Sequence, residues 1–262
     1  MQGMAGLRIP TKESKEICPI HHVHLRYFGK KVKPFCFKCQ QESIDSEKKK
    51  QVIKFKDDYN RRLFKQDSLV CKKSDWNNSF KNFKAEKGSK EAQMGNFAYK
   101  LAKQYISDSK SDLTTLMYGT PGEGKTHLAM AMINEINQKS NPPQKCLFVD
   151  INLLFNEVTS NLKNPASVWW IKNALSLLAD VDVLVIDDLG SESVLSTNSQ
   201  NATEFKQGLL KQVFETQGRL IVTTNLTLEK LKETYNPSIV SRLLGGSKGH
   251  QLDFSGIKDK RY

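Results

Sequence analysis

Gly119-Thr-Pro-Gly-Glu-Gly-Lys-Thr126 is the stretch on which the reading of this chain turns. It fits the pattern G-x-x-x-x-G-K-[ST], a loop whose backbone N–H groups wrap a polyphosphate. The flanking residues supply the context that the pattern needs. Leu113-Thr-Thr-Leu-Met-Tyr118 is a short apolar run and reads as a buried strand. Lys125 to Ile136 reads as a helix, with Leu128, Ala129, Met132, Ile133 and Ile136 on one face. Gly119 and Gly124 permit backbone angles and a close approach that a Cβ would hinder. The helix start adds unpaired N–H groups and a positive dipole end. The loop from Gly119 through Thr120, Pro121, Gly122, Glu123 and Gly124 is therefore expected to bind a nucleotide. Lys125 reaches the β- and γ-phosphates, and the Thr126 hydroxyl holds Mg²⁺.

Working outward, further strands alternate with helices. Lys145–Asp150, Val181–Ile186, Arg219–Thr224 and His250–Phe254 read as strands. Helices are expected at Glu91–Ile106, around Leu153–Val158, and at Trp169–Leu178, Phe205–Phe214, Leu228–Tyr235 and Ser238–Leu244. The fold class that follows is α/β, a parallel sheet with helices on both faces. Ligands on such sheets sit at the carboxyl ends of the strands. The glycine loop, Asp187-Asp188 and Asn225 all stand at such ends. One carboxylate there can hold the Mg²⁺ shell and a second can polarise an attacking water. Asn225 can position the same water, though a turn would use an Asn equally well. No guanine-reading Asn-Lys-x-Asp pattern occurs, which favours ATP over GTP.

The charge is unevenly placed. Residues 1–85 carry 20 Lys and Arg against 9 Asp and Glu, a balance of +11, while residues 86–262 carry 20 against 19, a balance of +1. The basic third calls for an acidic partner, either nucleic acid or an acidic protein face. No run of about 18 apolar residues exists, so no membrane span is expected. Met1 to Glu16 has no apolar signal core, and five cysteines, an odd number, suit a reducing, cytoplasmic setting.

Within the basic third, Cys18-Pro-Ile-His21 and Cys36-Phe-Lys-Cys39 are two knuckles with zinc-ribbon spacing. Cys18, Cys36 and Cys39 are expected to bind Zn²⁺. The fourth ligand is His21 by knuckle spacing, with His22 or His24 as alternatives. Ser43 to Gln66 follows as a basic amphipathic helix with Val52, Phe55, Tyr59 and Leu63 in a stripe that packs on a protein or stacks on bases. Cys71 to Ala85 reads as a linker that docks on the next domain. The expected organisation is a zinc-ribbon-like module at 1–45, a basic helix and linker at 46–75, and the nucleotide-binding domain at 76–262.

The order of these pieces resembles the AAA+ ATPases, in particular the DnaC/DnaI-type replicative helicase loaders and the related IstB-type transposition helpers. The resemblance covers residues 76–262. Phe80-Lys-Asn-Phe83 looks like the family's entry segment, and the loop continuing through His127-Leu-Ala129 looks like its Walker A box. Val183–Glu192 resembles Walker B, with Asp188 where many members carry Glu. Thr223-Thr-Asn225 resembles sensor 1, Ser241-Arg242-Leu243 an arginine-finger segment, and Asp259-Lys-Arg261 a closing sensor 2.

The resemblance implies that His127 and Arg261 join the nucleotide site. It also implies that Arg242 reaches the γ-phosphate of a neighbouring protomer, so that several copies assemble. It further implies a zinc module that grips a replicative helicase, and slow ATP hydrolysis because Asp188 is one methylene shorter than Glu. The expected function is ATP-dependent placement of a helicase on single-stranded DNA. The alternatives are a transposase helper, or a zinc-dependent nucleic-acid-binding protein with a structural ATP site.

Overall fold

Apolar runs too short for helices become strands here because alternate side chains have two separate cores to fill. The structure is a computed structural model, and it describes residues 11–28, 33–194 and 200–257. The chain divides into two compact units, one up to Asp58 and one from Tyr59 onward. The sequence alone suggests boundaries at residues 45 and 75.

In the first unit β1 (Lys12–Ile17) pairs antiparallel with β2 (His24–Tyr27). The turn between them is closed by Cys18 N donating to Val23 O (2.8 Å) and His22 N to Cys18 O (2.9 Å). Helix α1 (Phe37–Asp67) follows. It starts at Phe37, ahead of the expected Ser43, because the second knuckle is itself the first helical turn. Residues three apart on a helix share a face, so Cys36 at the helix mouth and Cys39 one turn on are brought together.

The expected stripe along α1 does not bury as a whole. Val52 is 67% exposed, Phe55 68% and Tyr59 46%, and only Leu63, at 3%, is covered. A 31-residue helix is about 46 Å long. The hairpin beside its start, with strands of six and four residues, is too small to cover its middle. The last turns belong to the second unit, where Leu63 and Phe64 enter that unit's two hydrophobic clusters.

The second unit continues with α2 (Lys90–Ser107), β3 (Leu113–Tyr118), α3 (Lys125–Lys139), β4 (Cys146–Asp150), α4 (Ile151–Ser160), α5 (Ile171–Asp180) and β5 (Val183–Leu189). Then come α6 (Ser191–Val194), α7 (Gln200–Thr216), β6 (Arg219–Thr224), α8 (Leu228–Thr234), α9 (Pro237–Gly246) and β7 (Gln251–Asp253). The strands form one parallel sheet in the order β4-β5-β6-β3-β7. Leu184 and Ile186 of β5 fill one cluster, with residues of α4, α5, α7 and α9, while Val183 and Val185 fill the other, with residues of α2 and α3. A sheet covered on both faces needs apolar residues at both parities, which is why these strands read as continuous runs.

The stretch from Cys71 to Ala85, expected as a linker that docks on the next domain, packs into this unit. Leu69 forms a parallel bridge with Val149 at the sheet edge. Lys73–Asn77 is a 3₁₀ turn. Trp76, Phe80 and Phe83 pack on the cluster under α2 and α3.

Candidate functional site

The glycine loop joins β3 to α3, and β3 lies between β6 and the edge strand β7. Its backbone conformation is one that side chains resist. Gly119 has φ 143°, Gly122 φ 89° and Gly124 φ 94°. A Cβ on Gly119 would lie 2.9 Å from Phe254 Cβ and from Ser255 N. Gly124 caps α3 in the left-handed region, which turns the first N–H groups of the helix toward the loop.

Lys125 is buried, its Nζ donating to Gly119 O (2.9 Å) and Thr120 O (2.6 Å), with Glu123 Oε2 at 3.8 Å. The Thr120 hydroxyl donates to Glu123 Oε1. Together with Pro121 and Gly122, these residues form one side of a cleft of about 430 Å³. His127 lines the cleft as well, but its Nε2 donates to Ser79 O (3.0 Å) and its ring stands edge-on to Phe83.

The facing wall is the carboxyl end of β5. The register between β5 and β6 shifts between Ile186 and Leu189, and this irregularity re-aims both carboxylates. Thr223 ties the pair together: its hydroxyl donates to Asp187 Oδ1 (2.6 Å) and accepts from Asp188 N (2.8 Å). Asp188 has φ 60°, and Asn225 Nδ2 donates to its Oδ1 (2.5 Å). Burial pushes the Asp187 carboxyl up to about 7, against hydrogen bonds from Thr223 and Thr126 that favour the charged form. Burial also raises Asp188, and the Asp150 charge adds to it. A nearly dry carboxyl bonded to Thr126, facing a glycine loop, suits a magnesium triphosphate.

The structure thus brings Lys125, Thr126, Asp187, Asp188 and Asn225 into one cleft. Arg242 is not in it. Half-exposed on α9, it lies 3.8 Å from Glu215. Arg261 lies outside the described residues. Sequence reasoning missed Asp150, which lines the same cleft while capping α4 through bonds from Asn152 N and Leu153 N. Its place at the carboxyl end of a strand was the signal available. Thr223 was passed over as part of a motif, and Lys72, Asp75 and Asn78 as part of a linker.

In the first unit, ligand atoms of Cys18, His21, Cys36 and Cys39 all lie within 4.8 Å of one another. His21 Nδ1 is 3.8 Å from Cys18 Sγ, 3.6 Å from Cys36 Sγ and 3.2 Å from Cys39 Sγ, and the Cys18 and Cys39 sulfurs are 3.6 Å apart. A tetrahedral zinc shell has ligand-to-ligand edges of about 3.5–3.8 Å, so the donor set fits that ion. His24 is instead bonded to Ser14 O, and His21 is the histidine whose ligand atom groups with the three sulfurs. His21 Nε2 bonds Glu42 Oε1 (3.0 Å), the partner that orients a metal-binding imidazole with Nδ1 inward. That bond raises His21 to about 9. The His21 backbone N–H lowers the Cys18 thiol to about 6, while burial pushes Cys39 up to about 12.

A parallel sheet with its glycine loop after β3 and paired carboxylates at the end of β5, on the far side of β6, defines a P-loop ATPase of the AAA+ class. Within it, the chain belongs to the bacterial DnaA ATPase domain family, whose model matches residues 75–249. It is 28% identical over 166 residues to the chromosomal replication initiator protein DnaA of Onion yellows phytoplasma, covering 63% of this chain and 29% of that protein. It is 24% identical over 177 residues to the replicative helicase loader DnaC of Escherichia coli K12, covering 65% of each. The crystal structure of DnaI superposes with a TM-score of 0.56 at 19% identity, over 77% of this chain and 99% of that one. The chain therefore spans less than two thirds of the length of either curated relative. Among the described residues no helix is long and apolar enough to cross a membrane.

Proposed function

We propose that this chain is an ATP-hydrolysing helicase loader that works in replication initiation. The observation that carries the reading is the convergence of Lys125, Thr126, Asp187, Asp188 and Asn225 on one cleft of a DnaA-type ATPase domain. The loop N–H groups and Lys125 bind the β- and γ-phosphates of ATP. Mg²⁺ held by Thr126 and Asp187 would neutralise charge on the phosphate oxygens. Asp188, fixed by Asn225 and by its own backbone, orients the attacking water and accepts its proton as the bond from the γ-phosphorus to the bridging oxygen breaks. The short Asp side chain makes turnover slow. Arg242, on the surface, completes the site of a neighbouring copy.

The Cys18/His21/Cys36/Cys39 set holds Zn²⁺ as a closed structural site, and the zinc module at 1–45 with the basic helix and linker at 46–75 grips the replicative helicase. The ATPase domain at 76–262 assembles in several copies in the cytoplasm and contacts single-stranded DNA. ATP held between copies biases the assembled state, and hydrolysis releases it.

The test is helicase deposition. The purified zinc-loaded chain is mixed with a replicative helicase and single-stranded DNA, with MgATP or without. Deposition that needs this chain and ATP, and is lost with Lys125→Ala, is expected. Recovery of a transposase in place of a helicase from the source cell would overturn the loading role. So would DNA binding that Lys125→Ala leaves untouched and no helicase transfer.

A further inference from the structure

The segment Ser68–Ser79 is fixed at its ends to two of the elements that line the nucleotide cleft, β4 and α3. At its start the Ser68 hydroxyl accepts from Phe148 N (2.9 Å), Leu69 N donates to Phe148 O (2.8 Å), and Asp150 N donates to Leu69 O (2.9 Å). This sets it beside β4, whose last residue is Asp150. At its far end Asn134 Nδ2 donates to Trp76 O (3.3 Å) and Asn78 O (2.9 Å), and His127 donates to Ser79 O. Both side chains come from α3, the helix opened by the glycine loop. Trp76 also stands edge-on to Phe64 at 5.2 Å. Between these anchors, Lys72 O accepts from Asp75 N (3.0 Å) to start the 3₁₀ turn. Cys71, Lys72, Asp75 and Asn78 then line the cleft.

The wall they make runs from β4, the neighbour of β5, to α3. Lys72, three residues past Leu69, belongs to its β4 end, toward the carboxylate side of the cleft, where the terminal phosphate must lie to meet Asp187 and Asp188. The cleft is also short of positive charge. Its lining carries four carboxylates, Asp75, Asp150, Asp187 and Asp188, against the ammonium groups of Lys72 and Lys125. Lys125 sits at the loop end. Lys72 is the cation on the opposite wall.

We propose that Lys72 is a second phosphate-binding residue, which acts in cis on the terminal phosphate from a wall built out of the segment before the ATPase core. The inference rests on the ATP-binding reading above. A point charge opposite Lys125 favours the triphosphate over the diphosphate, since only the former extends to it.

Titration of MgATP and of MgADP into the full zinc-loaded chain tests this, with wild type, Lys72→Ala and Lys72→Arg in parallel. Lys72→Ala is expected to weaken ATP binding roughly fivefold, a modest loss because the side chain is exposed and screened. ADP affinity stays within about twofold, and Lys72→Arg restores most of the ATP affinity by keeping the charge. Equal ATP affinity in wild type and Lys72→Ala, or equal losses for ATP and ADP, would overturn the proposal while ATP binding by the wild type stands. Failure of the wild type to bind either nucleotide would remove the ATP reading and this inference together.

Discussion

At the residue scale the left-handed backbone of Asp188 explains a departure that side-chain length alone does not. A φ of 60° is tolerated by Asn and Asp far better than by longer side chains, because a short polar side chain can bond locally there. The turn is held from outside as well, by Asn225 donating to its carboxylate from the end of β6 and by the Ser191 hydroxyl donating to its carbonyl. An Asp at this position therefore suits a strained strand end, and strain of about 1 kcal/mol is a common feature of catalytic positions. Asp188→Asn keeps the size and the backbone tolerance and removes only the proton acceptor. It should leave ATP binding near wild type and cut phosphate release by about a hundredfold or more. A nucleotide titration and a phosphate-release assay on the same sample check both halves. Lys125, Thr126 and Asp187 were legible in the sequence because each belongs to a pattern of neighbours in the chain. The contacts of Thr223 and Asp150 with Asp187 were not, because strand register alone makes them its neighbours. Thr223 belongs to the adjacent β6, and Asp150 pairs directly with Asp187 across β4 and β5.

At the level of elements, helix α1 was legible in kind but not in extent. Its period was visible from Ser43, yet the metal knuckle upstream looked like a separate loop. The i, i+3 rule reconciles the two, since Cys36 and Cys39 need the same spacing for a helical turn as for a knuckle. The exposed Val52 and Phe55 show the limit of periodicity, which tells which residues share a face but not whether anything covers it. The second turn of α1 carries Glu42, whose bond to His21 Nε2 no local pattern announced. Such orienting partners contribute about ten- to a hundredfold to metal affinity. Glu42→Ala should weaken zinc retention by that range, read by competition with a chromophoric chelator. ATP binding should not change, because the cleft is made wholly of residues from Cys71 onward. Zinc affinity equal to wild type would mean that Glu42 is only a surface partner.

For the molecule as a whole, the cleft offers two lysines to a polyphosphate and four carboxylates against it, and Arg242 stands outside on α9. Its weak, half-exposed pairing with Glu215 at 3.8 Å is worth little in water, so moving it to another partner costs little. An arginine brought to the transition state from a second copy is worth about 10³–10⁵ in rate in other phosphoryl-transfer enzymes. The reading then fixes how two damaged proteins behave when mixed. Arg242→Ala should bind ATP normally and turn over far more slowly, as its neighbours lack the cation. Lys125→Ala should not bind ATP but still offers Arg242. A mixed assembly contains junctions in which an intact loop faces an intact arginine, so the mixture should regain part of the wild-type rate, up to about a quarter for random pairing of equal amounts, by the positional logic of shared sites. Recovery should rise with total protein concentration, since it depends on association. Phosphate release measured on each variant alone and on the mixture decides it. A mixture no faster than the sum of its parts, under conditions where the wild type is assembled and active, would return Arg242 to the role its position already gives it, a surface ion pair.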